Sequence, residues 1–549
     1  MDSPQNPLDA LRRVKIDSRV VEDFRPVAES LEWRLSEAHW KVSGTQGFIE
    51  DSVPYASTSG GALAQAAAEV LLANCHEHPP DGPVVVLELC AGTGLFARAF
   101  VDAFRGLCQH AGAEFHQQLV YYVTDGSPAT LAQWKDLGLF ADSAIVAGSG
   151  DARRPRRWET DNGPVELAGI RAVFCNYGFD SLPAAIVRRG AAGPEELCVR
   201  TVLSADLERV RQAGSPALEE LRTMAAATDL VLRSVQSALE PEVAFLPCRH
   251  PYRFLDEALE RYGGAPRLIL NYGAMESISE LASMLVSAGF ILFSDYGVVD
   301  VNAPLSHTTP QQFGVTTAVG LHFPILADFA RAIGAELVDP NTSPPSKLHS
   351  RLLLLQESAA TRARFLRLFH SAEWRAARDR AQAQARSGAL SEAQATYEAV
   401  LAAYPNDWSI LGEVAEFVIR RANDYGAGLV LAQSALALNP WFSTWLWNVY
   451  GDAHYGLQQY HEAVSAYRVA ESLAPNDVRT QVNLSYAHSA LEDYETALLA
   501  IAKGFAHDNG GEYHERLQEK QQQILGALRG RRAEAEKAGE RRRQRLQAG

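Results

Sequence analysis

One stretch constrains the fold of this chain more than any other: Val84-Val85-Val86-Leu87-Glu88-Leu89-Cys90-Ala91-Gly92-Thr93-Gly94-Leu95-Phe96-Ala97. Six apolar or β-branched residues, broken only by Glu88, run without alternation into a glycine turn. Ala97, Phe100, Val101 and Phe104 then recur at helical spacing. This pattern predicts a parallel strand buried on both faces, a tight turn and a helix. Glycines at 92 and 94 bare the backbone, so a ligand can reach the turn and meet the first helical amides.

The turn satisfies the G-x-G-x-x-A spacing of dinucleotide sites, and a purely structural turn fits it as well. Glu88 separates these readings. A carboxylate just before the turn repels the phosphates of a dinucleotide, whereas S-adenosylmethionine carries no phosphate but does carry an amine and a sulfonium. The expected cradle comprises Glu88, Cys90, Gly92, Thr93 and Gly94.

A chain of 549 residues exceeds one hydrophobic core and implies two or three domains. The net charge of -15 argues against nucleic acid, whose phosphates need a positive face. The start, Met1 to Pro7, shows no cationic flank and apolar core, and no apolar run reaches the ~20 residues of a membrane span, so a cytoplasmic chain is expected. Cysteines 75, 90, 108, 175, 198 and 248 form no C-x-x-C pair, so they read as buried reduced thiols and no metal site is expected.

Residues 1–80 read as largely helical, with a hydroxyl-rich and glycine-rich loop from Asp51 to Gly61 that fits either a lid or an ordinary surface loop. Leu119 to Asp125 reads as a second strand, whose terminal acid either receives ribose hydroxyls or caps the next helix. A third strand near Ser143 to Ala147 leads to Asp151 and Ala152, placed to meet an adenine amino group. The fourth, Arg171 to Cys175, leads to Asn176, Tyr177 and Asp180, which face the crevice where a methyl group would be handed over. Asp180 is the candidate for orienting or deprotonating an acceptor. Between 184 and 267 lies an insertion with a strand from Glu196 to Leu203 and a helical stretch from Pro216 to Leu239, expected to shape the substrate pocket.

Together L-E-L-x-A-G-T-G, Y-Y-V-x-D-x-S-P and N-x-x-x-D-x-L-P resemble the MidA-type S-adenosylmethionine-dependent methyltransferases, the family of the mitochondrial arginine methyltransferase that assists complex I assembly. Ser287 to Gly297 is similar to that family's glycine, strand and D-Y-G signature, and Phe313 to Phe323 resembles a worn later segment. Leu352 to Leu355 resembles its closing strand, so the likeness spans roughly residues 40–356. Three positions depart from the pattern. Cys90 replaces the usual first glycine, Tyr177 stands where the family carries an acid after the asparagine, and Thr316 or Thr317 stands where it carries an aspartate. If those acids hold a guanidinium, its anchors are missing here, and arginine specificity does not carry over.

From Trp374 the chain turns alanine-rich, and Pro405, Pro440 and Pro475 recur at a constant interval. Trp447, Gly451, Ala463, Tyr467, Ala470 and Pro475 resemble the tetratricopeptide repeat, whose stacked helix pairs hold a peptide or protein in a concave groove. About four units are expected between Trp374 and His507.

The expected fold is therefore an α/β Rossmann-like methyltransferase domain with a mostly parallel, doubly wound sheet, followed by an all-α repeat solenoid. The expected boundaries are 1–80 helical region and lid, 81–356 methyltransferase domain, 357–373 connecting helix, 374–511 repeats and 512–549 a charged, solvated helical tail. The leading expectation is methyl transfer from S-adenosylmethionine to a protein or peptide held by the repeats. A small-molecule acceptor, a non-catalytic scaffold and a nicotinamide enzyme remain alternatives.

Overall fold

The computed structural model describes residues 19–50, 55–142, 144–301, 310–313, 316–342, 347–508 and 511–547. Part of the loop read as a lid, 51–54, lies outside the described residues, as does the start of the chain. Two compact units emerge, one ending at Glu373 and one beginning at Trp374.

The first unit is built on seven strands: β1 Val84–Leu89, β2 Leu119–Asp125, β3 Ile145–Ser149, β4 Ile170–Asn176, β5 Leu285–Val298, β6 Glu336–Val338 and β7 Leu348–Leu354. Their order across the sheet is β3-β2-β1-β4-β5-β7-β6, and an antiparallel hairpin of Arg157–Thr160 and Gly163–Glu166 extends the β3 edge. The five strands β1 to β5 run parallel, and β7 runs antiparallel to both of its neighbours. Both the continuous apolar run of β1 and the burial of all but the last residue of β4 follow from a central parallel strand having no wet face. From β1 the chain winds to β2 on one side, and β4 lies on the other. The sheet's topological switch point therefore falls between the tips of β1 and β4, where a crevice opens above the carboxyl ends.

A second, antiparallel sheet is formed by Leu239–Pro247, Gly193–Leu203, Ala185–Gly190 and Leu268–Leu270, with Val20–Pro26 along Gly193–Leu203. Val20–Pro26 corrects the helical reading of the N-terminal region. Its two-residue alternation buries only Val21 and Pro26, too faint a period to stand out in a polar stretch. The long helix expected from 216 to 239 is two pieces, Leu218–Ala227 and a 3-10 stretch Leu230–Ala238. Thr228 turns left-handed at φ 53, and the Asp229 side chain accepts from Val231 N, restarting the chain. After β7, the segment expected as a connecting helix over 357–373 holds a helix Ala359–Ser371.

In the second unit, helices pair as Glu373–Ser387 with Leu390–Ala403, Trp408–Phe417 with Tyr425–Leu438, Thr444–Gly456 with Tyr460–Leu473, and Val478–Ala490 with Tyr494–His507. Gly451 shows why a small residue is required within a pair: a Cβ there would lie 2.3 Å from the Tyr467 ring. The tail departs from a solvated reading. His514–Gln547 is a single helix, and Leu517 and Ile524, one heptad apart, pack against Val482, Ala497 and Ile501, so its first half caps the array. Among the described residues no helix is long and apolar enough to cross a membrane, and no cluster of three or more His, Cys, Asp or Glu could hold a metal ion.

Candidate functional site

A cavity of about 630 Å³ sits over the switch point, within the range of small-molecule sites. Its wall brings together Glu88, Cys90, Gly92, Thr93, Asp125, Asp151, Ala152, Asn176, Tyr177 and Asp180, which come from the ends of four strands. Gly94 is the exception. A Cβ there would strike Phe140, Leu139 and Trp134, so this glycine, at φ 72, shapes the start of the helix Leu95–Ala111 away from the cavity. Cys90 occupies the left-handed region at φ 53, a conformation that glycine adopts without cost, which explains why the resembled family carries glycine there.

The turn amides are already engaged. Ala91 N donates to Thr124 O at 2.9 Å, Gly92 N to Asp125 Oδ2 at 3.0 Å and Gly94 N to Ala91 O at 2.9 Å. The turn is thus no bare cradle of N–H groups for a phosphate. Asp125 also accepts from Ser127 N at 2.9 Å ahead of the helix Pro128–Asp136, but the cap of that helix is Ser127 and not Asp125.

Burial governs the acids. It pushes Glu88 up to about 8, against the pull of the Tyr121 hydroxyl, which donates to Oε2 at 2.8 Å, and the nearby Asp125 charge adds to the rise. Burial also pushes Asp125 up to about 6, with the Ser127 and Gly92 amides holding it down. Asp180 likewise rises to about 6 through burial, offset by a hydrogen bond from Asp295. Asp295 is pushed well above the usual carboxylate range by burial and by the Asp180 charge. Its Oδ2 accepts from Asp180 N at 3.1 Å and its Oδ1 from Tyr296 N at 2.9 Å. Burial and mutual repulsion thus favour the protonated form of Asp295 more strongly than that of Asp180, and Asp180 is the member of the pair that faces the cavity.

Beside Asp180, Tyr177 stacks on Tyr296 with ring centroids 4.9 Å apart and their hydroxyls 3.2 Å apart. Asn176 Oδ1 is buried and accepts no hydrogen bond. Trp40, Phe48 and Tyr55 form an aromatic roof, with the Phe48 ring so close over Gly92 that a Cβ on that glycine would lie 2.4 Å from it. Among the described residues of the wall, Glu37, Glu88, Asp125, Asp151 and Asp180 oppose only Lys41 and Arg153, and Arg153 is bound to Glu276 at 2.7 Å. The insertion 184–267 contributes no residue to this wall, contrary to expectation; Thr316, Thr317 and Tyr296 close that side instead.

Residues 62–316 match the family described as "Putative S-adenosyl-L-methionine-dependent methyltransferase". This methyltransferase match contains β1 to β5 and every predicted site residue, while the aromatic roof precedes it. No curated protein matches the chain in sequence. Among solved structures, one from Burkholderia thailandensis, bound to S-adenosyl-homocysteine, is 17% identical with a TM-score of 0.39 and covers 62% of this chain and 81% of its own. A native structure from the same organism is 16% identical, with a TM-score of 0.40 and coverage of 66% and 98%. The Sgt2 tetratricopeptide domain from Aspergillus fumigatus is 18% identical, with a TM-score of 0.22, and covers 23% of this chain and 82% of its own.

The sequence reading missed Asp295 and the roof of the cavity. Asp295 stood within the D-Y-G segment but carried no role, since its partner Asp180 lies 115 positions away and meets it only through sheet pairing. Trp40, Phe48 and Tyr55 sit on three separate short elements, so no single helical face marks them as one surface.

Proposed function

We propose that the first unit is an S-adenosylmethionine-dependent methyltransferase acting on a protein or peptide that the repeat unit recruits. One observation carries the cofactor reading. The cavity wall is acidic, three of its turn amides already have acceptors, and Asn176 leaves a buried acceptor atom open, a donor and acceptor set better suited to a cationic nucleoside than to a pyrophosphate. Glu88 and Asn176 Oδ1 would hold the ammonium end. Asp125 keeps lone pairs for ribose hydroxyls after accepting two amides, and Asp151 stands on the adenine side. The bound cofactor supplies an electrophilic methyl on a sulfonium.

The chain's own residues supply alignment and a proton acceptor. Asp180, ionised above about 6, receives the proton of the acceptor nucleophile or fixes its direction. Asp295 keeps Asp180 in place through the backbone bond. The Tyr177–Tyr296 stack forms a flat wall against which an acceptor group lies, and Phe48 and Trp40 exclude water from above.

Titration calorimetry of the full chain with S-adenosylmethionine, followed by radiolabelled methyl transfer into fractionated lysate, tests this reading. Binding with a labelled protein band is the expected result. Binding with label only in small molecules moves the acceptor to that class, binding with no label at all favours a scaffold, and tight NAD binding without S-adenosylmethionine binding overturns the cofactor assignment.

A further inference from the structure

Two thiols at the cavity take no part in the scheme above. Cys90 follows β1 and lines the cavity, and Cys175 is buried on β4 in register with Leu89, the residue just before Cys90. Gly178 locates both sulfurs. A Cβ built on it would lie 2.6 Å from Cys175 Sγ and 3.1 Å from Cys90 Sγ, so the two sulfurs crowd one corner that only hydrogen atoms leave open. Burial pushes the Cys175 thiol up, and the nearby Cys90 adds to the rise. Two sulfurs that both lie within about 3 Å of one point are close enough for a disulfide to be reached by rotation of the side chains and adjustment of the turn after Leu89.

The pair is also asymmetric. Cys175 is sealed in the core, and burial together with the nearby Cys90, Asp295 and Asp180 keeps its thiol protonated. Cys90 can be reached from the cavity and follows a left-handed residue geometry two positions after Glu88 and two before Gly92. A change at its sulfur therefore acts in the middle of the cofactor-contacting turn.

We propose that Cys90 and Cys175 are a reversible oxidation site, closed to a disulfide by a hydroperoxide entering the cavity, and that the closed form does not take the cofactor. The gating half of this inference rests on the cofactor reading given above. The Cys90 thiolate attacks the peroxide, the O–O bond breaks, an alcohol or water leaves, and Cys90 becomes a sulfenic acid. The Cys175 sulfur then attacks the Cys90 sulfur, the S–S bond forms, the S–O bond breaks, and the departing hydroxide takes the Cys175 proton as water. Two thiols lose two electrons and the peroxide bond gains them. Drawing the sulfurs to ~2.05 Å pulls Cys90 from the cavity wall and tilts the turn between Glu88 and Gly92.

The test uses the full chain treated with hydrogen peroxide, alkylated and digested. Mass spectrometry is expected to recover a Cys90–Cys175 linked peptide that dithiothreitol removes. Calorimetry with S-adenosyl-homocysteine is expected to show at least a tenfold loss of affinity on oxidation, regained on reduction. Cys175→Ser is expected to bind like the reduced chain and, after peroxide, to trap dimedone on Cys90, because no second thiol resolves the sulfenic acid. Recovery of both cysteines unlinked from the wild-type chain overturns the oxidation site. A linked peptide with unchanged affinity overturns the gating. A reduced wild-type chain that binds no S-adenosyl-homocysteine removes the cofactor reading, while the peptide result still decides the oxidation site.

Discussion

In the repeat unit, buried charges meet their opposites. Arg479 reaches Asp452 at 3.1 Å and Glu416 at 3.3 Å, Asp452 also accepts from Tyr467 and Asn483, and Arg378 is paired with Glu413. In the first unit, Glu88, Asp180 and Asp295 are buried and Asp125 half-buried with no cation beside them among the described residues; their partners are amides, hydroxyls and one another. Leaving acids uncompensated raises their proton affinity and costs stability, whereas pairing them neutralises both effects. The contrast separates a region whose charges fix a shape from one whose charges await something positive.

Four experiments can break or sharpen that contrast. The largest effect is expected from Gly92→Val, since φ 54 and the Phe48 ring 2.4 Å from its Cβ leave no room for a side chain; calorimetry should then detect no cofactor binding. Next comes Asp180→Asn, which should leave cofactor affinity within a few-fold while lowering methyl incorporation about 10²–10⁴-fold, the range for loss of a general base.

A smaller effect, with a diagnostic pH dependence, is expected from Glu88→Gln. In the free protein Glu88 keeps its proton up to about pH 8, and a cationic ligand favours the ionised form, so binding releases a proton. Affinity for S-adenosylmethionine should therefore rise between pH 6 and 7.5, by up to about tenfold per unit, and the glutamine variant should flatten this slope. Calorimetry in buffers of different ionisation enthalpy would count the released proton. The smallest effect on the cavity should come from Arg479→Ala, which removes the arginine shared by Asp452 and Glu416 while leaving each its other partners, and should destabilise the repeats by about 1–2 kcal/mol in thermal melts without altering cofactor affinity. A matching loss of cofactor affinity in that variant would end the distinction between the two regions.

Much of the sheet was legible because a buried parallel strand writes itself as an apolar run: β1, β2, β4 and β5 all lie where Val84, Leu119, Arg171 and Ser287 announced them. The repeats were legible through periodicity. Strand ends carrying Glu88, Asp125, Asp151 and Asn176 were legible as well, because architecture places them at one rim. What escaped depends on distant pairing. Val20–Pro26 is a strand only because Gly193–Leu203 is beside it, and Asp295 acquires its proton only because Asp180 is buried against it. Gly94 misled for a related reason, since spacing alone cannot tell a glycine that admits a ligand from one that admits Trp134.

The Phe48 ring resting over Gly92 implies a traffic rule for the pocket. A ligand pressed against that face of Gly92 would have to share it with the ring or push it aside. Shortening Phe48 to alanine should then change how fast such a guest enters and leaves more than which guest is chosen, a difference stopped-flow binding would read.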